Sequence, residues 1–585
     1  MSKKNKTVHK EHSESSRTIK PTETTNGSLF NSLDTWCEKR SNTILYFSIG
    51  LFLFLSIFSF DAKLSIAHDD ALYIESGLRM VKEFPDFFHT ANAPLYPFVL
   101  SLLYIIFGFK FILFKAFSVL FTVLAIYFTH KALQGRISAF FLTFCTLMFA
   151  INVHIIYFSH HSFTEAFYIM LQGIFFFTLF RLTDTAKESS LSWKGGLLCG
   201  FLIFLLVLAK TAAIGAIPAI ILYALLFKKW KEGLSVGAGF AFCFGLFHLI
   251  KKAIWGKYLS TLEYSQLDVL LRKDPYKPEL GNDSFSELIQ RFFDNYELYI
   301  SKRWFDIIGL IPDATEPKNM LGFAFLLLSL FTLYTLFKNK NKHLWHIALY
   351  SMGLTAVSFL ALQKNWDQLR IILIFLPFYL ILSFYGLYSF FKSRNNYVIQ
   401  LLVTFIFAIL IIVNINRSFK FLAANFPNTI KNFKGNKYAG YTPDWENYIK
   451  MSEWIGENLK SDSVLVACRK PPVSFVHSGG KLFAGIYTIP SEDADSLVIN
   501  LHEKKVTHVM VANLRRNPNK KDGYIINTVH RYLNTIQQKY PNFLTPVHRI
   551  GNSEEVNLFK INYPEIPNKP DSVATKEKIQ GEENK

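Results

Sequence analysis

Residues 44–73 read ILYFSIGLFLFLSIFSFDAKLSIAHDDALY, an apolar run that is soon followed by two adjacent carboxylates. The run from Ile44 to Phe60 is long enough to cross a hydrocarbon layer of roughly 30 Å as a helix. Asp69 and Asp70 follow within about ten residues, and a charge so close to a membrane span is costly and usually has a function. The alternative is structural, with one of the two aspartates capping a hydrated helix.

The composition extends this interpretation to the whole chain. Hydrophobic residues make up 50% of the 585 residues, aromatic residues 16%, and Phe alone contributes 59. This content exceeds what the core of a soluble protein needs, so the fold class predicted is an α-helical polytopic membrane protein. Residues 1–43 are polar and basic and are predicted to be a disordered cytoplasmic tail, without a cleavable signal peptide.

Apolar segments predict about eleven spans between residues 44 and 416. They are 44–60, 113–130, 137–157, 163–181, 195–209, 211–227, 234–255, 319–337, 344–362, 370–391 and 397–416. The short segment 94–108, which contains Pro94 and Pro97, is predicted not to cross. The pair 195–209 and 211–227 is predicted to be a hairpin that turns at Lys210, because a single long helix would bury an unpaired ammonium group.

Lys and Arg residues predict the orientation of these spans. If 94–108 does not cross, most basic loop residues fall on the side of the N-terminal tail. The N-terminus is then cytoplasmic and the C-terminal domain exoplasmic, in a cell or inner membrane. This topology brings the first loop (61–112), a turn carrying Glu165, the Lys210 turn and the Lys364–Arg370 turn to one exoplasmic face.

Two further regions lie on the same predicted side. In the loop 256–318, apolar residues between Asp283 and Trp304 follow helical spacing, which predicts either an interfacial amphipathic helix or a helix packed under the C-terminal domain. Residues 417–563 alternate helical and strand patterns and predict a small soluble α/β domain. Residues 564–585 are predicted to be a disordered tail.

The cysteines and the charge distribution argue against a disulfide-stabilised protein, a CxxC metal site and a nucleic-acid-binding protein. The five cysteines show no CxxC spacing and provide no exoplasmic disulfide framework. The net charge of +19 is attributed to the positive-inside bias and the tails, and no basic stripe interleaved with aromatic residues indicates nucleic-acid binding. No cofactor is predicted and no metal ligands are assigned, although a divalent cation remains an open alternative.

Several motifs resemble a known class. His68-Asp69-Asp70-Ala71-Leu72-Tyr73, followed by Ala93-Pro94-Leu95-Tyr96-Pro97, resembles the first exoplasmic loop of GT-C glycosyltransferases that use polyprenyl-phosphate sugars. That class includes the protein O-mannosyltransferases and the aminoarabinose transferases. Leu208-Ala209-Lys210 with Pro218, and Gln368-Leu369-Arg370 with Pro377, resemble later motifs of the class. The resemblance covers roughly residues 44–416, the transmembrane domain.

The resemblance implies transfer of a hexose or pentose, with inversion, from a polyprenyl-phosphate donor to an exoplasmic acceptor hydroxyl of a protein, lipid or glycan. By alignment of the acidic pair, Asp69 is the predicted base, since a positioned carboxylate can take the acceptor's proton. Asp70 supports it or contacts the acceptor. Lys210 and Arg370, with Lys364 behind them, are candidates to bind the leaving phosphate. Glu165 is predicted to orient the acceptor or one of these cations. Tyr73, which belongs to the acidic motif, is predicted to bind substrate.

One position departs from the aminoarabinose transferases. They carry a Lys just before their Pro-Pro-Leu, whereas this chain has Ala91-Asn92-Ala93-Pro94. The departure favours a more general sugar transferase, and His89 is a candidate to replace the missing cation. Two other classes stay open, namely a secondary transporter or flippase of an envelope lipid or small molecule, and a non-catalytic envelope scaffold.

Overall fold

A computed structural model describes residues 28–65, 69–184, 191–260, 270–274, 277–312, 316–363, 366–394, 396–517 and 523–565. The predicted C-terminal tail lies outside these residues except at 564 and 565, as do most of the N-terminal tail, His68 and Lys364. Residues 1–43 were expected to be disordered, but residues 41–43 begin one helix and residues 29–39 form another. Their helix is held because Phe30 and Cys37 are buried and the Ser28 hydroxyl donates to Gln400 over 2.9 Å.

The membrane unit consists almost entirely of helices. They are α1 (Leu29–Lys39), α2 (Ser41–Ser59), α3 (Asp69–Lys82), α4 (Leu95–Phe107), α5 (Phe111–Leu133), α6 (Ala139–Ala150), α7 (Val153–Ser159), α8 (Thr164–Asp184), α9 (Trp193–Ala209), α10 (Ala216–Leu226), α11 (Trp230–Ser260), α12 (Phe285–Leu298), α13 (Asn319–Asn339), α14 (Lys342–Ala361), α15 (Arg370–Leu373), α16 (Leu376–Arg394) and α17 (Tyr397–Phe433). Shorter helical turns span Thr211–Gly215, Pro278–Leu280, Tyr299–Trp304 and Phe305–Ile307.

Seven helices among the described residues are long and apolar enough to cross a membrane, or eight if the bent pair α6 and α7 forms one span. The seven are α2, α5, α8, α11, α13, α14 and α17. Three shorter apolar helices cover Leu95–Phe107, Trp193–Ala209 and Thr211–Leu226. The chain is therefore an integral membrane protein, as expected, but the count of eleven spans is not confirmed.

The predicted break at Lys210 is confirmed. Lys210 has extended backbone angles, φ −155° and ψ 115°, and separates α9 from the turn that leads into α10. The following segment packs very closely on α14, because a Cβ on Gly215 would lie 2.2 Å from the Gly353 carbonyl oxygen. The break thus leaves the ammonium group at the end of the bundle instead of inside one long helix.

Helix α4 is short and packs on α3. Its 13 residues span about 20 Å, and a Cβ on Gly77 would lie 2.9 Å from the Pro97 carbonyl oxygen. This contact holds the segment 94–108 against the helix that begins at Asp69. That the segment does not cross the membrane stays a prediction.

The loop 256–318 contains the amphipathic helix that its spacing predicts. Ser284 and Glu287 form a reciprocal capping box at the start of α12. One face of α12 packs on α14, where Phe292 and Phe359 lie with ring centroids 5.9 Å apart. The apolar side chains of Phe285 and Phe293 stay 79% and 59% exposed, which favours the interfacial alternative.

The C-terminal part is a small α/β unit, as predicted. Its helices are α18 (Pro443–Asn458), α19 (Pro471–His477), α20 (Ala494–Glu503) and α21 (Thr528–Lys539), and its strands are β1 (Val466–Cys468), β2 (Phe483–Gly485), β3 (His508–Ala512), β4 (Leu544–Ile550) and β5 (Val556–Ile561). The sheet order is β2-β1-β3-β5-β4. β1 is parallel to β2 and β3, whereas β5 is antiparallel to β3 and β4.

The two faces of the sheet pack differently. Helices α20 and α21 cover one face and form a separate apolar core, while residues of α18 and α19 belong to the same core as the membrane helices. Helix α17 runs across residue 416 to Phe433, so the proposed domain boundary falls inside a continuous helix. The α/β unit therefore rests directly on the end of the bundle.

Candidate active site

Four helix ends meet at one end of the bundle, and each carries one predicted site residue. Asp69 is the first residue of α3 and Arg370 the first residue of α15. Glu165 is the second residue of α8, and Lys210 lies just after α9. Side chains at helix ends reach beyond the apolar bundle, so this arrangement brings four charged groups together.

The four groups form two ion pairs. Arg370 donates a short hydrogen bond to Asp69, and the Lys210 Nζ lies 2.8 Å from the Glu165 Oε1. The Arg370 Nε also donates to the Gln368 side-chain oxygen over 2.9 Å. The Asp69 side chain is 34% exposed, compared with 5% for Glu165. Asp69 is therefore the more accessible carboxylate of the two.

The two pairs also interact with each other. Arg370 interacts electrostatically with Glu165 as well as with Asp69, and its guanidinium group lies 4.7 Å from the ring centre of Phe163. The cluster holds two formal positive and two formal negative charges. An incoming anion would compete with the carboxylates for the two cations.

Asp70 has a different environment from its neighbour. It is fully buried and accepts hydrogen bonds from the Ser65 amide (2.9 Å) and the Ser65 hydroxyl (2.8 Å). Burial disfavours the charged form of Asp70, but His161, 3.6 Å away, and the Ser65 amide hold its pKa below the usual value. Asp70 thus fixes the start of α3 and with it the position of Asp69.

A buried ion pair that was not predicted from the sequence lies near Asp70. The side chain of Lys115, fully buried on α5, lies 3.3 Å from Asp61 and donates to the carbonyl oxygens of Asp61 (2.8 Å) and Lys63. Burial disfavours the Asp61 carboxylate, yet the charge of Lys115 holds its pKa below the usual value. A lysine inside the predicted span 113–130 was the available signal, because intramembrane charges are rarely without a function.

Tyr73 lies one turn after Asp69 and is buried. Burial, with the negative charge of Glu165, raises the pKa of its phenol. Its ring packs edge-on against Tyr96 with centroids 5.7 Å apart, so the two motif tyrosines contact each other. Tyr73 belongs to the cluster as an uncharged hydroxyl.

His89 packs beside Tyr73, with ring centroids 6.0 Å apart. Its Nδ1 lies 2.9 Å from the Ser76 hydroxyl, and its Nε2 accepts from the Asn92 amide over 3.2 Å. Burial lowers the pKa of His89 to about 4, so the imidazole is neutral at pH 7. Its role as a phosphate ligand stays a prediction.

The predicted roles of Lys364 and of a divalent cation stay predictions. Lys364 lies outside the described residues. Within the part of the chain that the structure describes, no group of three or more His, Cys, Asp or Glu side chains could hold a metal ion.

The chain is similar to known proteins in its three-dimensional structure. No family model and no curated protein sequence matches the chain. The Archaeoglobus fulgidus oligosaccharyltransferase, in a complex with Zn and sulfate, is 14% identical, and the match covers 80% of this chain and 67% of that chain with a TM-score of 0.51. The same enzyme tethered to an acceptor peptide with an NVT sequon is 12% identical, with 91% and 75% covered and a TM-score of 0.50.

A further similar structure is ArnT from Cupriavidus metallidurans bound to undecaprenyl phosphate. It is 10% identical, the match covers 89% of this chain and 97% of that chain, and the TM-score is 0.49. The similarity to the oligosaccharyltransferase shows the fold, and the chain therefore has the GT-C fold that its motifs resemble.

Proposed function

We propose that this protein is a membrane glycosyltransferase that moves a sugar from a polyprenyl-phosphate donor to an exoplasmic acceptor hydroxyl. The observation that carries the proposal is the pairing of Asp69 with Arg370 beside the Lys210–Glu165 pair. Such a site offers an accessible carboxylate next to two fixed cations. The GT-C fold, shared with an oligosaccharyltransferase, supports sugar transfer as the reaction class.

The reaction is a single displacement at the anomeric carbon. The acceptor oxygen forms a bond to that carbon while the bond from carbon to phosphate oxygen breaks, which inverts the configuration. Asp69 takes the acceptor's proton as the bond forms. Arg370 and Lys210 neutralise the negative charge that the lipid phosphate gains as it leaves, and Glu165 holds Lys210 in place.

The Asp69–Arg370 pair makes this chemistry depend on the donor. A carboxylate that is paired with a guanidinium group is a weak base, because the positive charge stabilises the ionised form. A phosphate can accept two hydrogen bonds from Arg370 in a forked geometry and so draw the guanidinium group away from Asp69. Donor binding therefore frees the base when the acceptor is about to react.

Arg370→Gln is expected to weaken binding of the donor because it removes one of the two cations in the site. Wild-type protein purified from its membrane is expected to retain a polyprenyl-phosphate sugar that mass spectrometry identifies. The variant is expected to retain about tenfold less. Arg394→Gln, at the far end of the next helix, α16, is the matched control.

Equal retention of the lipid by both variants would contradict the role of Arg370. A lipid without a sugar, or a transported small molecule in its place, would favour the transporter alternative. If wild-type protein and the control retain no lipid and show no transfer, the scaffold alternative is favoured.

We also propose that the site faces the exoplasmic side with the N-terminus cytoplasmic. The turn Gln134–Ser138 between α5 and α6 is at the opposite end of α5 from Phe111, where the chain leaves the site loop. A reporter inserted after Gln134 is expected to be cytoplasmic, because the positive-inside bias places Lys131 and Arg136 there. A reporter fused to the C-terminus is expected to be exoplasmic, and the reverse result for both would place the site in the cytoplasm.

A further inference from the structure

The C-terminal sheet has a topological switch point, where successive connections place their strands on opposite sides of one strand. β1 lies between β2 and β3, and all three run parallel. The chain passes from β1 to β2 on one side and then returns to form β3 on the other side. In open α/β sheets, the connections diverge at such a point and leave a crevice beyond the carboxyl ends of the strands, where ligands bind.

Cationic residues follow both strands that flank this point. Arg469 and Lys470 come directly after β1, and Arg516 comes shortly after β3. Tyr487, after β2, lies under the guanidinium group of Arg469 at 5.6 Å from the ring centre. We call this set of Arg469, Lys470 and Arg516 the edge cations.

Two of the edge cations lack the partners that a structural role would give them. Arg515, their neighbour, is held by Asp444 at 2.7 Å and by Glu554. Among the described residues, the side chains of Arg469 and Arg516 make no ion pair, and the buried Nε of Arg469 has no hydrogen-bond partner. A buried donor without an acceptor is costly, and a ligand with acceptor oxygens would remove that cost.

The electrostatics of Lys470 agree with a cationic crevice. Burial, together with the charges of Arg469 and Arg516, lowers the pKa of Lys470 to about 8, while Asp69 acts in the opposite direction. Like charges repel at this distance. An anion in the crevice would relieve the repulsion and keep Lys470 protonated.

The crevice faces the candidate active site. Helix α19, which follows Lys470, packs on α3, and Glu75 of α3 interacts electrostatically with both Cys468 and Tyr487. The field at Lys470 includes Asp69, the first residue of α3. The edge cations therefore lie over the helix that carries the proposed base.

We propose that the edge cations form a second phosphoryl-binding subsite, contributed by the C-terminal domain to the roof of the active site. This inference rests on the proposed function in one respect, namely that the bound phosphoryl group belongs to a substrate. Two sources have the same chemistry. One is the second phosphate of a diphosphate-linked donor, which Arg370 and Lys210 do not hold, and the other is a phosphate carried by the acceptor.

The test measures binding of three probes to the full-length protein in lipid nanodiscs by calorimetry. The probes are geranylgeranyl monophosphate, geranylgeranyl diphosphate and glucose 6-phosphate. If the phosphoryl group belongs to the donor, the double variant Arg469→Gln, Arg516→Gln is expected to bind the diphosphate about tenfold more weakly. If it belongs to the acceptor, the same variant is expected to bind glucose 6-phosphate about tenfold more weakly. Binding of the monophosphate, which Arg370 and Lys210 hold, is expected to stay within about twofold.

Arg531→Gln on α21 is the matched control for each single substitution, because it removes one arginine charge from an exposed position on the other face of the sheet. Arg516 is exposed, so Arg516→Gln alone serves if the double variant does not fold. The inference is overturned if neither the diphosphate nor glucose 6-phosphate binds the wild type, or if the edge variants and the control bind both alike. Loss of monophosphate binding in Arg370→Gln tests the proposed function separately.

Discussion

Asp69→Asn is expected to reduce sugar transfer by about 10²- to 10⁴-fold, because the amide cannot take the proton of the acceptor hydroxyl. The amide oxygen can still accept a hydrogen bond from Arg370, so the geometry of the site is preserved. Transfer is measured as single-turnover formation of product from a lipid-linked donor. Donor binding is expected to persist or to tighten, because Arg370 is released from its ion pair.

The fold should tolerate this change. The Asp69 side chain is one-third exposed and, among the described residues, its ion-pair partner is Arg370. Arg370 keeps Glu165 as a second negative charge, so we expect the loss of stability to stay within about 1 kcal/mol. Asp86→Asn, an exposed carboxylate in the same loop, is the matched control for activity and membrane level. If Asp69→Asn transfers sugar at the rate of this control, Asp69 is not the base.

Lys115→Met is expected to destabilise the protein by about 3–5 kcal/mol, because it removes the ion-pair partner of the buried Asp61 carboxylate. Lys115 also supplies hydrogen bonds to two backbone carbonyl groups of the segment 61–63. That segment leads to Ser65, which holds Asp70 and the start of α3. The variant should therefore show a lower thermal unfolding midpoint in detergent and reduced transfer.

A double variant distinguishes the effect of the unpaired Asp61 charge from the effect of the altered side-chain shape at position 115. Lys115→Met with Asp61→Asn removes both charges, and its unfolding midpoint is expected to recover a large part of the loss, since the uncompensated charge is gone. Lys110→Met, at an exposed position just before α5, is the control and should leave the midpoint unchanged. Equal midpoints for the single and the double variant would show that Asp61 and Lys115 are not coupled.

Much of the architecture could be predicted because the signals are local. Apolar runs identify membrane helices, alternating patterns identify the α/β unit, and a lysine between two apolar runs identifies the break at Lys210. The short strand Phe483–Gly485 and the strand Leu544–Ile550, interrupted by Pro546, were missed. Neither strand carries a long run of β-branched or aromatic residues, so neither has a strong local signal.

The sequence by itself determined the class of protein and named Asp69, Glu165, Lys210 and Arg370 as charged groups at predicted helix ends. Only the tertiary structure decided how they pair, because Asp69 and Arg370 lie 301 residues apart in the chain. It also revealed Lys115 beneath the site and the edge cations above it. Periodicity reports which face of a helix is apolar, whereas partners of buried charges depend on how distant helices pack.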